Sequence, residues 1–126
     1  MAFAEEVLPA ALLADSTVAS IVGDKVVPTG GAQGYAAPYL TFQRASTVGS
    51  NHLTGGGDLD QVRMQVSAWA KTGLAALVLA QAARDLIAPK SVTGLGTFQG
   101  QQPPTFDTDT GNWGVSADYF IWQERI

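Results

Sequence analysis

The sequence predicts an α+β fold, a mainly antiparallel (mixed) β-sheet with two α-helices packed on one face, in the order α-β-β-β-α-β-β. Apolar and polar residues alternate along two stretches in the middle of the chain and along a third near its end, a period typical of half-buried strands. Between Thr72 and Pro89 the chain instead has the apolar content and the boundary residues of a helix. At 126 residues it is long enough for one domain, residues 1–126, with a core of its own.

The beginning of the chain carries helical signals that a proline interrupts. Apolar residues recur at helical spacing over Ala4–Ala14, but Pro9 would remove a hydrogen bond from a helix interior and kink it. We therefore expect the helix either to start near Leu8 or to break there. Asp15 is suited to cap a short second helical turn, which Gly23 would end.

Three strands are predicted before the long helix. Asp24–Pro28 is a short strand, and a glycine-rich loop over residues 29–37 follows it. The next strand begins at Pro38, since proline can open a strand but does not sit within a sheet, and it ends near Thr47. Its neighbour, around residues 62–69, puts valine, methionine and alanine on one face and polar residues with a tryptophan on the other.

Between these two strands the sequence predicts a long loop from about Ser46 to Asp60. Loops of this length without secondary structure are usually functional or disordered. The glycines at 55–57 lack the lysine and the helix start of a phosphate-binding loop. The one histidine, His52, has neither cysteine partners for zinc nor a nucleophile elbow around Ser50. A solvated or interface histidine is therefore favoured over a catalytic one.

The second half of the chain predicts one helix and two further strands. Thr72 is suited to cap a helix over residues 73–88, which is apolar almost all round and should pack on both the sheet and the N-terminal helix. Residues 92–99 form a weak strand and residues 101–111 contain a turn. The last long strand covers residues 112–124.

Charged residues are few and scattered. Seven basic and eleven acidic residues give a net charge of −4, and no two bases are adjacent. This argues against a broad nucleic-acid-binding surface, which needs a basic patch. The charged fraction is 14%, against about 25% in ordinary soluble domains. Protein interfaces are depleted in lysine and acidic residues, so the composition favours a surface covered by partners. The alternative is a monomer with a neutral polar surface.

Residue types also limit the chemistry. The chain has no cysteine, which excludes disulfides and thiolate metal sites. Its acidic start and its short apolar runs predict neither a signal peptide nor a membrane span. The acidic stretch from Asp107 to Gly111 departs from the pattern of a calcium loop, and a polar turn is favoured. We predict no catalytic residue, no cofactor and no metal site.

The sequence does not decide between two roles for two of the tryptophans. Trp69 and Trp122 lie on the strand faces that also carry polar residues. They could stack on a ligand or cover an interface, where aromatic residues are enriched. They could equally be core residues, if the helices pack on that face.

Taken in order, these segments resemble the tail-completion proteins, also called tail terminators, of long-tailed double-stranded-DNA phages and prophages. The segments that carry the resemblance are LLADSTVASIVGDKVVP, PYLTFQRAS, LTGGGDLDQVRMQVSAWAKT, the alanine- and leucine-rich helix and VSADYFIW. The resemblance implies a structural virion protein that forms a ring, typically six-fold, at the head-proximal end of the tail tube. Such a ring stops tube growth, joins the tail to the head connector and lets DNA pass without specific binding.

The same resemblance implies partners and a location. The partners are further copies of the chain, the major tail tube protein and the head–tail connector or stopper protein, with assembly in the host cytoplasm and no membrane. Within the long loop, the candidate partner contacts are Val48, Asn51, His52, Leu53 and Thr54. Two other function classes stay open: a neck adaptor or transient tail-assembly factor, and an enzyme with an unrecognised site.

Overall fold

The structure is a computed structural model that describes residues 4–29, 36–52, 55–88 and 96–124, with side chains placed outside residues 48–60 and 122–124. The elements are α1 (Ala4–Ala14), α2 (Ser16–Val22), β1 (Val26–Pro28), β2 (Tyr39–His52), β3 (Gly55–Ala70), α3 (Gly73–Ile87), β4 (Gly96–Gln101), β5 (Thr105–Asp107) and β6 (Asn112–Glu124). The predicted α+β fold is confirmed. The N-terminal helical segment is two helices, and β5 is a strand where only a turn was predicted, so the predicted order lacks one helix and one strand.

The strands form one mixed sheet in the order β1-β2-β3-β6-β4, with β5 also paired to β6. The short edge strand β1 runs parallel to β2, and the other pairings are antiparallel. Strand β6 therefore lies inside the sheet, between β3 and β4, although it follows both in the chain.

Helix α1 runs through Pro9 rather than starting or breaking there, so both expectations for this helix are wrong. The reason is packing: Ala4, Leu8 and Leu12 lie one turn apart and are at most 2% exposed. Their burial outweighs the hydrogen bond that proline cannot donate. The predicted cap of α2 is confirmed, because a carboxylate oxygen of Asp15 accepts a hydrogen bond from the backbone N–H of Val18 at 3.0 Å.

Helix α3 begins as predicted and packs on the middle of the sheet. The Thr72 hydroxyl accepts a hydrogen bond from the backbone N–H of Ala75 at 3.1 Å and caps the helix. The buried face of α3 consists of Ala76, Leu79, Ala80, Ala83 and Ile87. Helix α3 also contacts α1 and α2, so the predicted packing on both the sheet and the N-terminal helical segment is confirmed. The opposite side of its first two turns is not covered among the described residues.

The core lies between this helical layer and one face of the sheet. In antiparallel pairs, residues directly opposite each other point to the same face. The inner pairs Val62–Ile121, Met64–Tyr119, Val66–Ala117 and Ala68–Val115 join β3 to β6, and all eight side chains are buried. Burial raises the pKa of Tyr119 to about 12, so its phenol stays neutral in the core.

The predicted loop from Ser46 to Asp60 is instead the far part of a long β-hairpin. Strands β2 and β3 pair from Tyr39–Trp69 out to His52–Gly55, with register irregularities near Ala45 and Ser50. Residues 46–60 are mostly small and polar, so the sequence shows no alternation of apolar and polar residues there that would identify a strand. Residues 30–35, within the predicted glycine loop, lie outside the described residues, as do residues 92–95 of the predicted weak strand, whose described part starts at Gly96.

One ion pair fastens α1 to β2. The guanidinium of Arg44 donates from Nε to Oε2 of Glu5 at 2.8 Å and from Nη2 to Oε1 at 2.6 Å. This two-point hydrogen bond holds the pKa of Glu5 below its ordinary value of 4.5. Because the pKa in the folded state is depressed, the pair stabilises the fold above that value and loses its effect as the pH falls through the folded-state pKa.

We expect Glu5→Gln to remove this pH-dependent contribution. The two side chains are 25% and 40% exposed, so the free energy of unfolding at pH 7 should fall by about 0.2–1 kcal/mol. Near pH 3 the variant and the parent should differ less, as measured by urea unfolding at both pH values. Glu6→Gln, at the exposed neighbouring position, is the control and should show no such difference. An equal loss at both pH values would contradict the assignment.

Candidate functional site

The second face of the sheet, which we call the open face, has no helix packed on it among the described residues. Its side chains bond to one another across the strands. The amide of Gln43 donates to Gln65 at 2.7 Å, and the hydroxyls of Ser67 and Ser116 lie 2.9 Å apart. These contacts run perpendicular to the strands and satisfy polar groups without a covering layer. The open face is thus a polar surface that is ordered before any partner binds.

Among the described residues of the open face, the one cation is paired. Arg63 on β3 donates from Nη2 to a carboxylate oxygen of Asp118 on β6 at 2.6 Å. The sequence alone does not indicate this partner, because only the β3–β6 register brings Asp118 near Arg63. With Arg63 neutralised in this way, the described part of the open face carries little net charge.

Trp69 lies on the open face and is therefore not part of the core between helices and sheet. Its indole N–H donates to the Thr41 hydroxyl at 3.2 Å, and its ring stacks on Tyr39 with centroids 6.2 Å apart. The ring also covers Gly114, where a Cβ atom would lie 2.7 Å from the nearest ring carbon. Glycine at 114 is what allows the indole to lie flat on the sheet. The side chain of Trp122 is outside the described set.

Next to Trp69 the open face forms a cleft of about 360 Å³ against the β5 segment. Its lining residues are Trp69, Gln102, Pro103, Thr105, Phe106, Asp107, Gly114 and Ser116. The carboxylate of Asp107 accepts hydrogen bonds from the backbone N–H of Asp109 and from the Thr110 hydroxyl, both at 3.0 Å. These bonds confirm the polar turn predicted there.

An apolar groove lies at the start of α3. Leu74 is 74% exposed and Val78 is 55% exposed, one turn apart on the same side of the helix. Ile21 from α2 and Pro38 before β2 extend the groove, which Lys71 borders. We call Leu74 and Val78 the α3 patch. Exposed apolar side chains grouped around a groove are typical of a surface that a partner covers.

The predicted contact residues lie on the hairpin. Val48, Asn51 and His52 belong to β2, and Leu53 and Thr54 lie outside the described residues. Among the described residues, β3 pairs with β6 from Leu59 onward, and the described hairpin beyond this point pairs only within itself. The structure thus places three of these residues on a β-hairpin rather than on a loop, with Val48 inside the β3–β6 paired region and Asn51 and His52 beyond its described part. Their contact with a partner stays a prediction.

The described residues hold no group of three or more histidine and acidic side chains that could bind a metal ion. Within the same residues, none of the helices is long and apolar enough to cross a membrane.

Comparison with known proteins gives a family match and a structural match. The model of the family "Tail completion protein gp17" matches residues 6–124. Among solved structures, a chain of the "Virion of native gene transfer agent (GTA) particle" has a TM-score of 0.63 and 18% sequence identity, covering 98% of this chain and 100% of that chain. At this identity the likeness concerns the fold. No curated protein matches the sequence.

Proposed function

Because the chain belongs to the tail completion protein gp17 family, we propose that it forms a homo-oligomeric ring at the head-proximal end of the tail tube. In this proposal the ring ends tube growth and joins the tail to the head connector. The family consists of structural virion proteins, and the protein is a structural component of the phage tail. We further propose that it has no enzymatic activity.

The observation that best supports the ring is the α3 patch. A folded monomer with Leu74 and Val78 exposed keeps an apolar surface in contact with water. Each apolar Å² that a neighbouring copy covers would contribute about 25 cal/mol. In a cyclic assembly every copy uses the same two unlike surfaces, so one patch per chain serves the whole ring.

The electrostatics support a passage that does not grip DNA. Each cation set against phosphate adds salt-dependent affinity. Arg44 and Arg63 are both held in ion pairs with carboxylates. The acidic excess of the chain further reduces the attraction to phosphate. In our proposal the DNA therefore passes through the ring without specific binding.

The projecting hairpin supports contact with a second kind of partner. Among the described residues, its end extends past the β3–β6 pairing, so in this proposal it can reach a neighbouring protein without disturbing the core. We propose that Val48, Asn51, His52, Leu53 and Thr54 contact the tail tube protein or the connector. Extended arms of this kind dock with little change in the domain that carries them.

We expect Leu74→Asp to prevent ring formation while leaving the subunit folded. The side chain is 74% exposed, so the new carboxylate stays hydrated in the monomer and is desolvated only when a neighbour covers it. Native mass spectrometry and electron microscopy of particles should show rings for the parent protein and folded monomers without rings for the variant. Gln81→Asp, at an exposed site further along α3, is the control and should form rings.

Purified particles separate this proposal from its alternatives. A ring subunit remains in the mature particle in equal copies around the tail axis, whereas a transient assembly factor is absent from it. Symmetric density at the junction with the head, rather than at the tube end, would identify a neck adaptor instead. Particles in which this chain occurs as isolated copies would overturn the ring.

A further inference from the structure

We propose that neighbouring copies in the ring join their sheets edge to edge, with β4 of one copy pairing antiparallel to the outer edge of β2 in the next. This inference rests on the proposed ring and identifies the contact that builds it. The occupant of each edge is thus a second copy of this chain.

Both sheet edges are uncovered among the described residues. Strand β1 covers β2 only from Leu40 to Phe42, and no described strand lies on that edge over residues 45–52. On the other side of the sheet, β4 (Gly96–Gln101) pairs with β6 alone. Every second N–H and C=O along such an edge points away from the sheet and can accept another strand.

Both edges also lack the charged residues and prolines that commonly protect an edge strand against strand addition. Solitary edges typically carry lysine or proline, which prevent pairing with another chain. Residues 45–52 read ASTVGSNH and β4 reads GTFQGQ, so neither contains an acidic residue, a lysine, an arginine or a proline. Register irregularities lie on both sides of the stretch Ser46–Gly49, and one follows the described stretch Gly96–Phe98. These two regular stretches are similar in length and are the parts of the edges that we expect to pair.

The directions of the strands make the two edges compatible. From β2 to β3, β6 and β4 each neighbour reverses direction, so β4 runs opposite to β2. In a cyclic ring all copies have the same orientation about the axis. When β4 of one copy meets β2 of the next, the pair is therefore antiparallel, and the open face of each copy stays on the same side of the joined sheet. The two edges differ, so the contact propagates from copy to copy until the ring closes.

The registers of β2 and β4 within the sheet predict which side chains of neighbouring copies should lie opposite each other in the β4–β2 pairing. On β4, Thr97 lies opposite Phe120 and points to the open face, as does Gln99, whose amide donates to the Thr97 hydroxyl at 3.0 Å. On β2, Ser46 lies opposite Arg63 on that same face, whereas Thr47 lies opposite Val62 on the helix side. Directly opposed residues share a face, so Thr97 can meet Ser46 or Val48 but not Thr47.

Disulfide trapping tests this contact directly, because the chain has no cysteine of its own. The two test variants combine Thr97→Cys with Ser46→Cys or with Val48→Cys, which covers two registers two residues apart. Within one copy, β3 and β6 separate the two positions by three strand spacings, about 14 Å. A disulfide needs Cα atoms within roughly 7 Å, so any bond formed must join two copies.

The expected result, on mild oxidation of purified particles, is a covalent ladder that ends at the full ring for at least one test variant. The matched control combines Thr97→Cys with Thr47→Cys, an equally exposed position on the opposite face, and should give at least tenfold less product. The single variants should stay monomeric. Covalent dimers from Ser46→Cys alone would show two β2 edges pairing with each other and would overturn the inference.

The test separates this inference from the proposed function. Particles with symmetric rings but no ladder from either test variant would overturn the edge pairing and leave the ring standing. A ladder from the control as strong as from the test variants would also overturn the pairing, because it would indicate collisions rather than register. Particles without any ring of this chain would overturn both proposals.

Discussion

Val66→Asp is expected to abolish folding. Val66 is 4% exposed and lies between Phe42 and Ala117 on the inner face of the sheet. A carboxylate there would lie among apolar side chains, and the inner-face cation Arg44, opposite Met64, is already paired with Glu5. Burying an unpaired charge costs several kcal/mol. Since whole domains are stable by only about 5–15 kcal/mol, one such group can unfold the protein. Circular dichroism and urea titration of the purified variant provide the measurement.

Gln43→Asp is the matched control for this experiment. Gln43 lies on the neighbouring strand but on the open face, where it is exposed, so its carboxylate would remain hydrated. We expect this variant to unfold cooperatively with a free energy of unfolding within about 1 kcal/mol of the parent. A soluble Val66→Asp protein with the parent's stability would show that the inner face is not the core.

The same reasoning ranks two leucines of α3. The apolar sequence of α3 alone predicts that Leu77 is a core residue and that Leu77→Asp destroys the fold. Leu77 is only partly buried at the margin of the core, whereas Leu79 is 0% exposed. Leu79→Asp should therefore be the more damaging of the two substitutions.

Removal of the end of the hairpin is expected to leave a folded protein that cannot join tails to heads. Deleting residues 50–59 joins Gly49 directly to Asp60, which are cross-strand partners in the parent protein. These two residues would then form the turn that follows the pair Val48–Gln61. A glycine followed by aspartate suits a two-residue hairpin turn. The core strands keep their inner pairs, so cooperative unfolding should persist. Infectious particles should fall to the level seen without the protein, with tails and heads accumulating separately.

A second variant distinguishes the loss of side-chain contacts with the partner from the shortening of the hairpin. Asn51→Ala, His52→Ala and Leu53→Ala together keep the full hairpin and remove side chains that we propose to contact the partner. We expect the same failure to join, detected by electron microscopy of lysates and by plaque counts. Normal yields of infectious particles from the deletion would rule out a role for the hairpin end.

The sequence predicted best those elements whose local chemistry agrees with their packing. Helix α3 begins after Thr72, which caps it through its own hydroxyl, and the last strand was predicted over the residues that form β6. In both segments the periodicity of apolar residues is strong. The residues at their boundaries are also types that commonly begin or end a helix or a strand.

The failures come from tertiary contacts that local chemistry cannot report. Pro9 opposes a helix locally, yet Leu8 and Leu12 on either side are fully buried and keep the helix intact. The far half of the hairpin contains glycine, serine and asparagine, which are weak strand formers, and cross-strand pairing overrides their preference. Contacts on the surface of the sheet are still harder to predict from sequence. The pairing of Arg63 with Asp118, for example, depends on the order of the strands in the sheet.

The position of β6 has a consequence for how the protein is made. Strand β4 pairs with β6, and β3 needs β6 to cover its second edge. During synthesis, β3 and β4 therefore cannot complete their pairing until residues 112–124 have left the ribosome. A nascent chain shorter than this has the hairpin but not the finished sheet, and it lacks one of the two edges that the next copy would join. In the proposed ring, only chains that already contain a folded β6 could then join an assembly, so partial subunits would be kept out of a growing virion.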